Sequence, residues 1–380
     1  MRTPIDHSRA GRAGARPETG RLHAHTSIRG FSLVELMVAL TIGLIIMLVV
    51  TVLFTQLSRG FQSTDDASRS MENGNFAMRV LADDLRLAGF VGLGNSTLSV
   101  EPAVAGKIAS TNADNCGMGD ATWPYLNANH PALELPTALP CIPAGGMTSN
   151  SPIVVTRHAT GRIIPLNNFQ AGGEFANSNR FFIQTGPRGG GTIFMGRDYQ
   201  TNVKGALKHV TVCVNLAGTR PAAPQGCLPE ANQPDAPIFE YAVNVYYVRP
   251  CSRPGGAICT AADDGGDPLP TLVRRELNDN DPAAFVEVPV AEGVESLVLA
   301  FLDSNGTILA ADQVARAVSV RISMVMRSRK VDQSGFDDSQ FSYAQADGTV
   351  FSCGAAGIPL CRYRRQLITE TVALENLPLR

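Results

Sequence analysis

The sequence predicts an α+β protein in which one long N-terminal helix packs on an antiparallel β-sheet whose long loops are stapled by disulfides. Three observations support this class. An apolar run continues into an amphipathic helical pattern, short β-branched and aromatic runs follow it, and the eight cysteines all come later in the chain. The 36 Gly and 24 Pro among 380 residues suit a loop-rich β body better than a helical bundle.

The chain begins with a basic leader, residues 1–30, which carries six arginines against Asp6 and Glu18. Residues 31–54 are then almost wholly apolar around one charge, Glu35, and a run of this length can span a bilayer as a helix. Because arginines precede it, the positive-inside rule places the leader in the cytoplasm and the rest outside. A cleaved secretory signal has a shorter apolar stretch that ends in a small-residue site, so we expect this helix to be retained.

Residues 55–90 continue the helix with an amphipathic pattern, and a glycine cluster ends it. Apolar and small residues recur there at three- and four-residue spacing between charged ones, which predicts one stripe that packs on a sheet. The predicted stripe consists of Leu57, Phe61, Thr64, Ser68, Met71, Met78, Leu81, Leu85 and Ala88.

Residues 91–380 form the predicted β-rich body. Alternating apolar and polar residues make the segment 317–326 its clearest strand. Glycine- and proline-rich stretches at 186–191, 217–226 and 252–268 are expected to be surface loops. The predicted strands are 153–156, 180–184, 210–214, 239–248, 272–277, 294–302, 317–326 and 367–374.

The eight cysteines fall into four pairs of sequential neighbours. An even count behind a membrane segment indicates disulfides formed in an oxidising compartment, each closing one loop, although other connectivities stay open. Free thiols and a metal site are the alternatives. We expect no metal, since no pair has the close spacing of a zinc ribbon. The candidates are Cys116 with Cys141, Cys213 with Cys227, Cys251 with Cys259, and Cys353 with Cys361.

The residues around Gly30 form the most specific pattern of the chain. Gly30 and Phe31 follow an arginine, and Glu35 is the single charge of the apolar run. A carboxylate facing hydrocarbon costs about 2.5–3.5 kcal/mol, so it needs a partner. A cut after Gly30 would give Phe31 a free amine, which the Glu35 carboxylate of a neighbouring subunit could face, and this pair would set the subunit register. Alternatively, Ser32 and Glu35 form a capping box that starts the helix, and the two roles are compatible.

This junction resembles the class III signal of type IV pilins and type II secretion pseudopilins. In that family a prepilin peptidase cuts after the glycine and methylates the new N-terminal residue, which are Gly30 and Phe31 here. The leader is longer than is usual for the family, which makes Met1 a candidate for a misassigned start. Downstream the chain resembles the PilW group of minor pilins. That likeness rests on residues 83–90, 242–249, 272–276, 292–297, 326–329 and 364–372, and the family's closing Arg-Asn pair is Glu375-Asn376 here.

The resemblance implies a minor pilin that primes and assembles type IV pili, at the pilus tip. It implies a single-pass inner-membrane protein with a periplasmic body, whose partners are other minor pilins, the major pilin, the prepilin peptidase and the inner-membrane assembly platform. No enzymatic activity and no cofactor are expected, and the common catalytic and phosphate-binding motifs are missing from the sequence. Two alternatives stay open: a GspJ-like pseudopilin of type II secretion, and a tip module that binds DNA or a surface.

The DNA alternative rests on a basic C-terminal region. The formal net charge of −2 gives no global attraction to nucleic acid, and a solvated strand face would explain the local excess, so we expect no nucleic-acid binding. Acidic loops at 263–267 and 279–281 could hold Ca²⁺ but lack EF-hand spacing. The basic region contains Arg321, Arg327, Arg329, Lys330, Arg362, Arg364 and Arg365, with Tyr363 as a possible stacking ring.

Overall fold

The computed structural model describes residues 30–92, 100–102, 116, 130–149, 151–185, 191–203, 236–277, 285–332, 336–354 and 361–377. The chain divides into two units, Met1–Leu57 and Ser58–Arg380. One helix, α1 (Leu33–Leu87), provides the described secondary structure of the first unit and the first element of the second. It begins two residues later than the predicted Phe31, because Phe31 and Ser32 precede its first turn.

In the first unit, α1 is apolar on all sides. Every residue from 30 to 57 is exposed in the isolated chain. Among the described residues, α1 is the one helix long and apolar enough to cross a membrane. A helix that is apolar all round needs lipid or other helices against it.

The second unit is built from β-strands that follow α1. Six of the described strands were not predicted. Four of these have only two or three residues, namely Val100–Pro102, Leu133–Glu134, Tyr343–Ala344 and Val350–Phe351. Of the other two, Gly191–Met195 directly follows a glycine-rich stretch, and Phe285–Glu292 contains Pro289, which weakens a strand signal. The segment 210–214 lies outside the described residues, and the other predicted strands are confirmed. The described strands are β1 (Val100–Pro102), β2 (Leu133–Glu134), β3 (Val154–Ile164), β4 (Phe181–Thr185), β5 (Gly191–Met195), β6 (Ile238–Arg249), β7 (Thr271–Leu277), β8 (Phe285–Glu292), β9 (Val294–Leu302), β10 (Ser319–Arg327), β11 (Tyr343–Ala344), β12 (Val350–Phe351) and β13 (Arg365–Ala373).

The described strands form two main sheets and one small hairpin. In the larger sheet β6 is central: β3 pairs with one edge of it, while β4 and β7 share the other edge. The smaller sheet has the order β13-β10-β9 and is antiparallel throughout. The predicted antiparallel arrangement is confirmed, with one parallel pair among the described strands, β1 with β5.

From Ser70 onward α1 packs on both sheets. Gly74 lies against the smaller sheet so closely that a Cβ placed on it would come within 2.8 Å of Met326 Cγ. The side chains nearer the end of the helix enter a core shared with the larger sheet. The buried residues of α1 are Ser70, Gly74, Ala77, Met78, Leu81, Ala82 and Leu85.

The predicted stripe on α1 is correct in its last part and wrong in its first. Met78, Leu81, Leu85 and Ala88 are buried as expected. The earlier members of the stripe do not reach the core. Burial of α1 begins only at Ser70, and the first buried residues, Ser70, Gly74 and Ala77, are small. The exposed members are Leu57, Phe61, Thr64, Ser68 and Met71.

Candidate functional site: the junction and the helix anchor

The junction residues lie at the free start of α1. Phe31 is 84% exposed, and no atom of the described residues lies within 4 Å of a Cβ placed on Gly30. The Val34 amide donates to Ser32 Oγ at 3.3 Å, and the Ser32 amide donates to Glu35 Oε2 at 3.2 Å. This reciprocal pair is the capping box that the sequence offered as one role of Glu35.

Glu35 keeps the capacity for a second role. Its hydrogen bond from the Ser32 amide uses one carboxylate oxygen, whereas an ionised carboxylate can accept several hydrogen bonds. It is exposed on an otherwise apolar surface and is the only charged residue of α1 before Arg59. A cationic group of a neighbouring chain could therefore approach Glu35 without breaking the cap.

Other polar side chains of the apolar part of α1 are satisfied within the helix. The hydroxyl groups of Thr41, Thr51 and Thr55 donate to the carbonyl oxygens of Val38, Met47 and Val52 at 2.7–2.9 Å. Such back-bonding removes the need for a partner in hydrocarbon, where an unsatisfied polar group is costly. Glu35 differs from these threonines because its charge cannot be satisfied by a neighbouring carbonyl.

The far end of α1 is anchored to the larger sheet through Asp84. Asn244 Nδ2 donates to Asp84 Oδ2 at 2.6 Å, and the Tyr246 hydroxyl donates to the same oxygen. His158 Nε2 lies 3.5 Å from Asp84 Oδ1. These partners come from one face of the sheet, since Asn244 and Tyr246 are two residues apart on β6 and His158 lies on the paired strand β3.

The surroundings of Asp84 shift the pKa of two groups in opposite directions. Burial opposes ionisation of Asp84, but hydrogen bonding and the charge of His158, with the bonds from Tyr246 and Asn244, outweigh it and lower its pKa. Burial and the adjacent Asp84 charge raise the pKa of Tyr246 well above its usual value. Asp84 is therefore ionised and Tyr246 protonated at neutral pH, which is the state that their hydrogen bond requires.

The C-terminal residues close the end of α1. Asn376 Nδ2 donates to the Arg86 carbonyl at 2.7 Å, which satisfies one of the last free carbonyl groups of the helix. Gly89 follows with φ +85°. Its Cα lies so close to the Asn376 carbonyl oxygen that a side chain at position 89 would collide with that oxygen. The asparagine of the closing Glu375-Asn376 pair thus has a structural role here.

The basic C-terminal region is largely occupied by internal contacts. Arg365 is fully buried and donates to Glu295 at 2.6 and 3.1 Å and to Asp338 at 3.1 Å. Arg327 is also buried, and its guanidinium lies 4.2 Å from the centre of the Tyr363 ring, which is buried as well. These three side chains are not available to nucleic acid, which weakens the DNA alternative.

In the acidic loop at 263–267, the carboxylates of Asp263 and Asp264 accept hydrogen bonds from backbone amides. The Asp263 carboxylate accepts from the amides of Thr260 and Gly255, and these bonds, the first above all, lower its pKa. Asp264 accepts from the amides of Ser252, Arg253 and Leu269 at 2.7–2.9 Å. Carboxylates that accept several amide hydrogens have fewer free lone pairs for Ca²⁺, which weakens the calcium alternative at this loop. The second acidic loop, 279–281, lies outside the described residues.

Disulfides close three loops of the body. They join Cys116 to Cys141, Cys251 to Cys259, and Cys353 to Cys361. Cys213 and Cys227 lie outside the described residues. The Cys251–Cys259 bridge encloses Ser252, Arg253 and Gly255, three of the residues that donate to Asp263 and Asp264, so the covalent link and these hydrogen bonds stabilise the same loop.

The Asp84 cluster was not predicted as a functional group. Asp84, Asn244 and Tyr246 belong to the segments that carry the likeness to minor pilins, but no spacing in the sequence connects them with each other or with His158. They meet only because α1 crosses the strands that carry them. The role of Asn376 was hidden for the same reason.

Comparisons with known proteins gave two matches, one over the N-terminal junction and one over the C-terminal part of the body. Residues 26–51 match the prokaryotic N-terminal methylation motif, and residues 245–376 match PilW, type IV pilus-assembly protein W. The second match begins on β6 beside Tyr246 and ends at Asn376, which caps α1. No curated protein and no solved structure gave a match.

A prepilin-type junction followed by one apolar helix that continues into a β-rich, disulfide-bonded body defines a membrane-anchored, pilin-like protein. The matched region of the body distinguishes it further. Together the two matches support a minor pilin of the PilW family that takes part in type IV pilus assembly. This match favours the pilus over the type II secretion alternative.

Proposed function

We propose that the chain is cut between Gly30 and Phe31, methylated on the Phe31 amine, and built into the pilus through a pair between that amine and Glu35 of a neighbouring subunit. In this proposal the body lies in the periplasm, the helix crosses the inner membrane once, and the protein primes assembly at the pilus tip without enzymatic activity. Its partners are the prepilin peptidase, other minor pilins, the major pilin and the assembly platform.

The observation that carries the proposal is the geometry of the junction. Gly30 and Phe31 are exposed immediately before the helix cap, so a peptidase can reach the bond without unwinding α1. Glu35 begins the helix and carries the only charge of the apolar part, and the new amine would arise four residues before it. A charge pair between subunits would remove the cost of both charges in hydrocarbon.

The cut is tested by replacing Gly30 with Leu and measuring the N-terminal mass of the protein purified from membranes. The wild-type protein should begin at Phe31 and carry one added methyl group. Gly30→Leu should keep the leader, because a larger side chain changes the residue next to the cut bond. Since a Cβ at position 30 would meet no atom of the described part of the chain within 4 Å, loss of cleavage would not result from a clash with the folded body.

Gly43→Leu is the matched control for this experiment. It introduces the same side chain thirteen positions further along, again with no atom within 4 Å of the added Cβ. This variant should be cut and methylated like the wild type. Normal cleavage of Gly30→Leu, or a mature N-terminus at another residue, would refute the assigned site.

The assembly role is tested in a deletion strain. Loss of the gene should abolish or thin the surface pili and stop twitching, while protein secretion through a type II system should be unchanged. Tip placement predicts few copies per pilus, which immunogold labelling of sheared pili would detect at one end. Labelling along the whole filament would contradict the tip position but not the assembly role.

A further inference from the structure

Three cations meet at one cleft where the second unit begins. Arg59 on α1 and Lys330 and Arg364 from the end of the smaller sheet line this cleft, together with Ser63 and Asp332. Ser63 Oγ donates to Asp332 Oδ2 at 3.0 Å, which fixes the loop that carries Lys330 against the helix. The cleft is therefore a built feature of the second unit and not a chance meeting of long side chains.

The charges around the cleft do not cancel. Asp332 is paired with Arg364, which leaves Arg59 and Lys330 without an ion pair to any described residue. Among the described residues that line the cleft, Asp66 is the acidic side chain besides Asp332, and it opposes Arg59 and Lys330. An anion that enters between Arg59 and Lys330 would meet a net positive surface, and the planar guanidinium of an arginine suits two phosphate oxygens at once.

Chain position indicates which anion this is. Arg59 follows Phe54, the last residue of the apolar run, by five residues of the same helix, a rise of about 8 Å. The headgroup layer of a bilayer extends about 5–8 Å beyond the hydrocarbon on each side, and a long arginine side chain can reach back toward it. The phosphate groups of membrane lipids thus lie within reach of the cleft.

Aromatic side chains beside the cleft also indicate a surface that lies on a membrane. The Arg364 guanidinium lies 4.6 Å from the centre of the Phe336 ring, and Phe341 stacks on Phe336 with 5.8 Å between ring centres. Phe341 is 50% exposed. Exposed aromatic and basic side chains side by side are typical of surfaces that lie on membranes.

We propose that this cleft binds the headgroup phosphate of an anionic phospholipid and so holds the body on the membrane surface before the subunit enters a pilus. The inference rests on residues 31–54 spanning the membrane, as in the proposed function. It adds a lipid class and two binding residues, Arg59 and Lys330. Lipid release would then accompany extraction of the subunit from the membrane.

The test uses the full chain purified in a neutral detergent and titrated with phosphatidylglycerol or phosphatidylcholine, with bound lipid counted by native mass spectrometry. The wild type should prefer phosphatidylglycerol, and Arg59→Gln/Lys330→Gln should lose this preference. Each basic residue near an anionic surface contributes about fivefold to binding, so the double variant should bind about 25-fold more weakly. Raising the salt concentration should weaken wild-type binding.

The matched control is Arg316→Gln/Arg321→Gln. It removes the same charge from two exposed arginines, Arg316 before β10 and Arg321 as the third residue of that strand, whereas Lys330 follows the end of the strand. This control should bind phosphatidylglycerol like the wild type. Equal binding of both lipids by the wild type, or equal losses in the two double variants, would overturn the proposal.

The N-terminal mass of the same samples separates this inference from the proposed function. A chain cut after Gly30 that shows no lipid preference would refute the cleft alone. A chain that prefers phosphatidylglycerol but begins at another residue would refute the assigned cut and leave the cleft standing.

Discussion

The two parts of α1 share one backbone but have opposite surroundings. From Leu33 to Leu57 every residue is exposed in the isolated chain, and apolar side chains face all directions. From Ser70 to Leu85, seven residues are buried along one side, against two β-sheets. The surroundings that the first part requires are set by its average apolar composition, whereas the packing of the second part is set by individual residues at individual contacts.

Three glycines within α1 make this difference concrete. A Cβ placed on Gly43 or Gly60 would meet no atom within 4 Å, while one on Gly74 would overlap Ile368 and Met326. The same residue type is thus replaceable in the first part and near the start of the second, and required where the helix touches the smaller sheet. Substitutions in the first part should impair pilus assembly, whereas substitutions in the second part should impair folding of the body.

The largest effect is expected at Glu35. Glu35→Gln keeps an acceptor for the Ser32 amide but removes the charge, so α1 should form and cleavage should proceed. If Glu35 pairs with the Phe31 amine of a neighbour, loss of one partner of a buried pair costs about 3–5 kcal/mol, and subunit association should fall on the order of 100-fold or more. Counting surface pili by electron microscopy in a complemented deletion strain measures this.

Ser32→Ala is the control for Glu35→Gln. It removes the hydroxyl of the capping box and leaves the Glu35 charge in place. Piliation should then stay close to wild type. Equal defects in the two variants would mean that Glu35 acts through the cap and not through a charge pair.

The next largest effect is expected at Gly74. Gly74→Leu forces a side chain into the contact with Met326 and Ile368, and overpacking of this kind should lower the free energy of unfolding by about 3 kcal/mol. Gly60→Leu should instead raise it by up to about 1 kcal/mol, because Leu is the better helix former and space is open there. Thermal unfolding of the full chain in detergent, followed by near-UV circular dichroism, compares the two. Equal melting temperatures would show that α1 does not pack tightly at Gly74.

The same contrast explains what could be predicted from the sequence. The apolar part of α1 was predictable because lipid imposes one requirement on every residue. The strand β10 was predictable because apolar and polar residues alternate from Val318 to Met324. The packed face of α1 was predicted wrongly before Met78, since the apolar Phe61 and Met71 are exposed while the small Ser70 and Gly74 are buried. Periodicity counts apolar residues, whereas this contact is set by the small size of its side chains.

A smaller effect with a defined pH dependence is expected at Asp84. Its pKa is lowered in the folded chain, so its stabilising contribution is complete above the unfolded value of 3.8 and is lost as the pH falls through the folded value. Asp84→Asn should lower the free energy of unfolding by about 2 kcal/mol at neutral pH and flatten its decline in acid. Some decline should remain, because Asp263 and Asp264 also have lowered pKa values.

Asp83→Asn is the control for this measurement. Asp83 is the preceding residue, is exposed, and pairs with Arg86 on the helix surface. Its replacement should change the free energy of unfolding by less than about 0.5 kcal/mol. Parallel pH profiles for the wild type and Asp84→Asn would contradict the role given to the cluster of Asp84, His158, Asn244 and Tyr246.

The smallest effect is expected at the end of α1, where Asn376→Ala leaves the Arg86 carbonyl without its cap. One hydrogen bond at a partly exposed site contributes about 1 kcal/mol, so the loss of unfolding free energy should be of that size. Glu375→Ala changes the exposed neighbour of Asn376 and should have no measurable effect. Hydrogen exchange gives the sharper measurement: amides in the last turn of α1 should exchange faster in Asn376→Ala, while those around Gly74 stay protected. Unchanged exchange at that turn would mean that Gly89 and the packing of Leu85 are sufficient to end the helix.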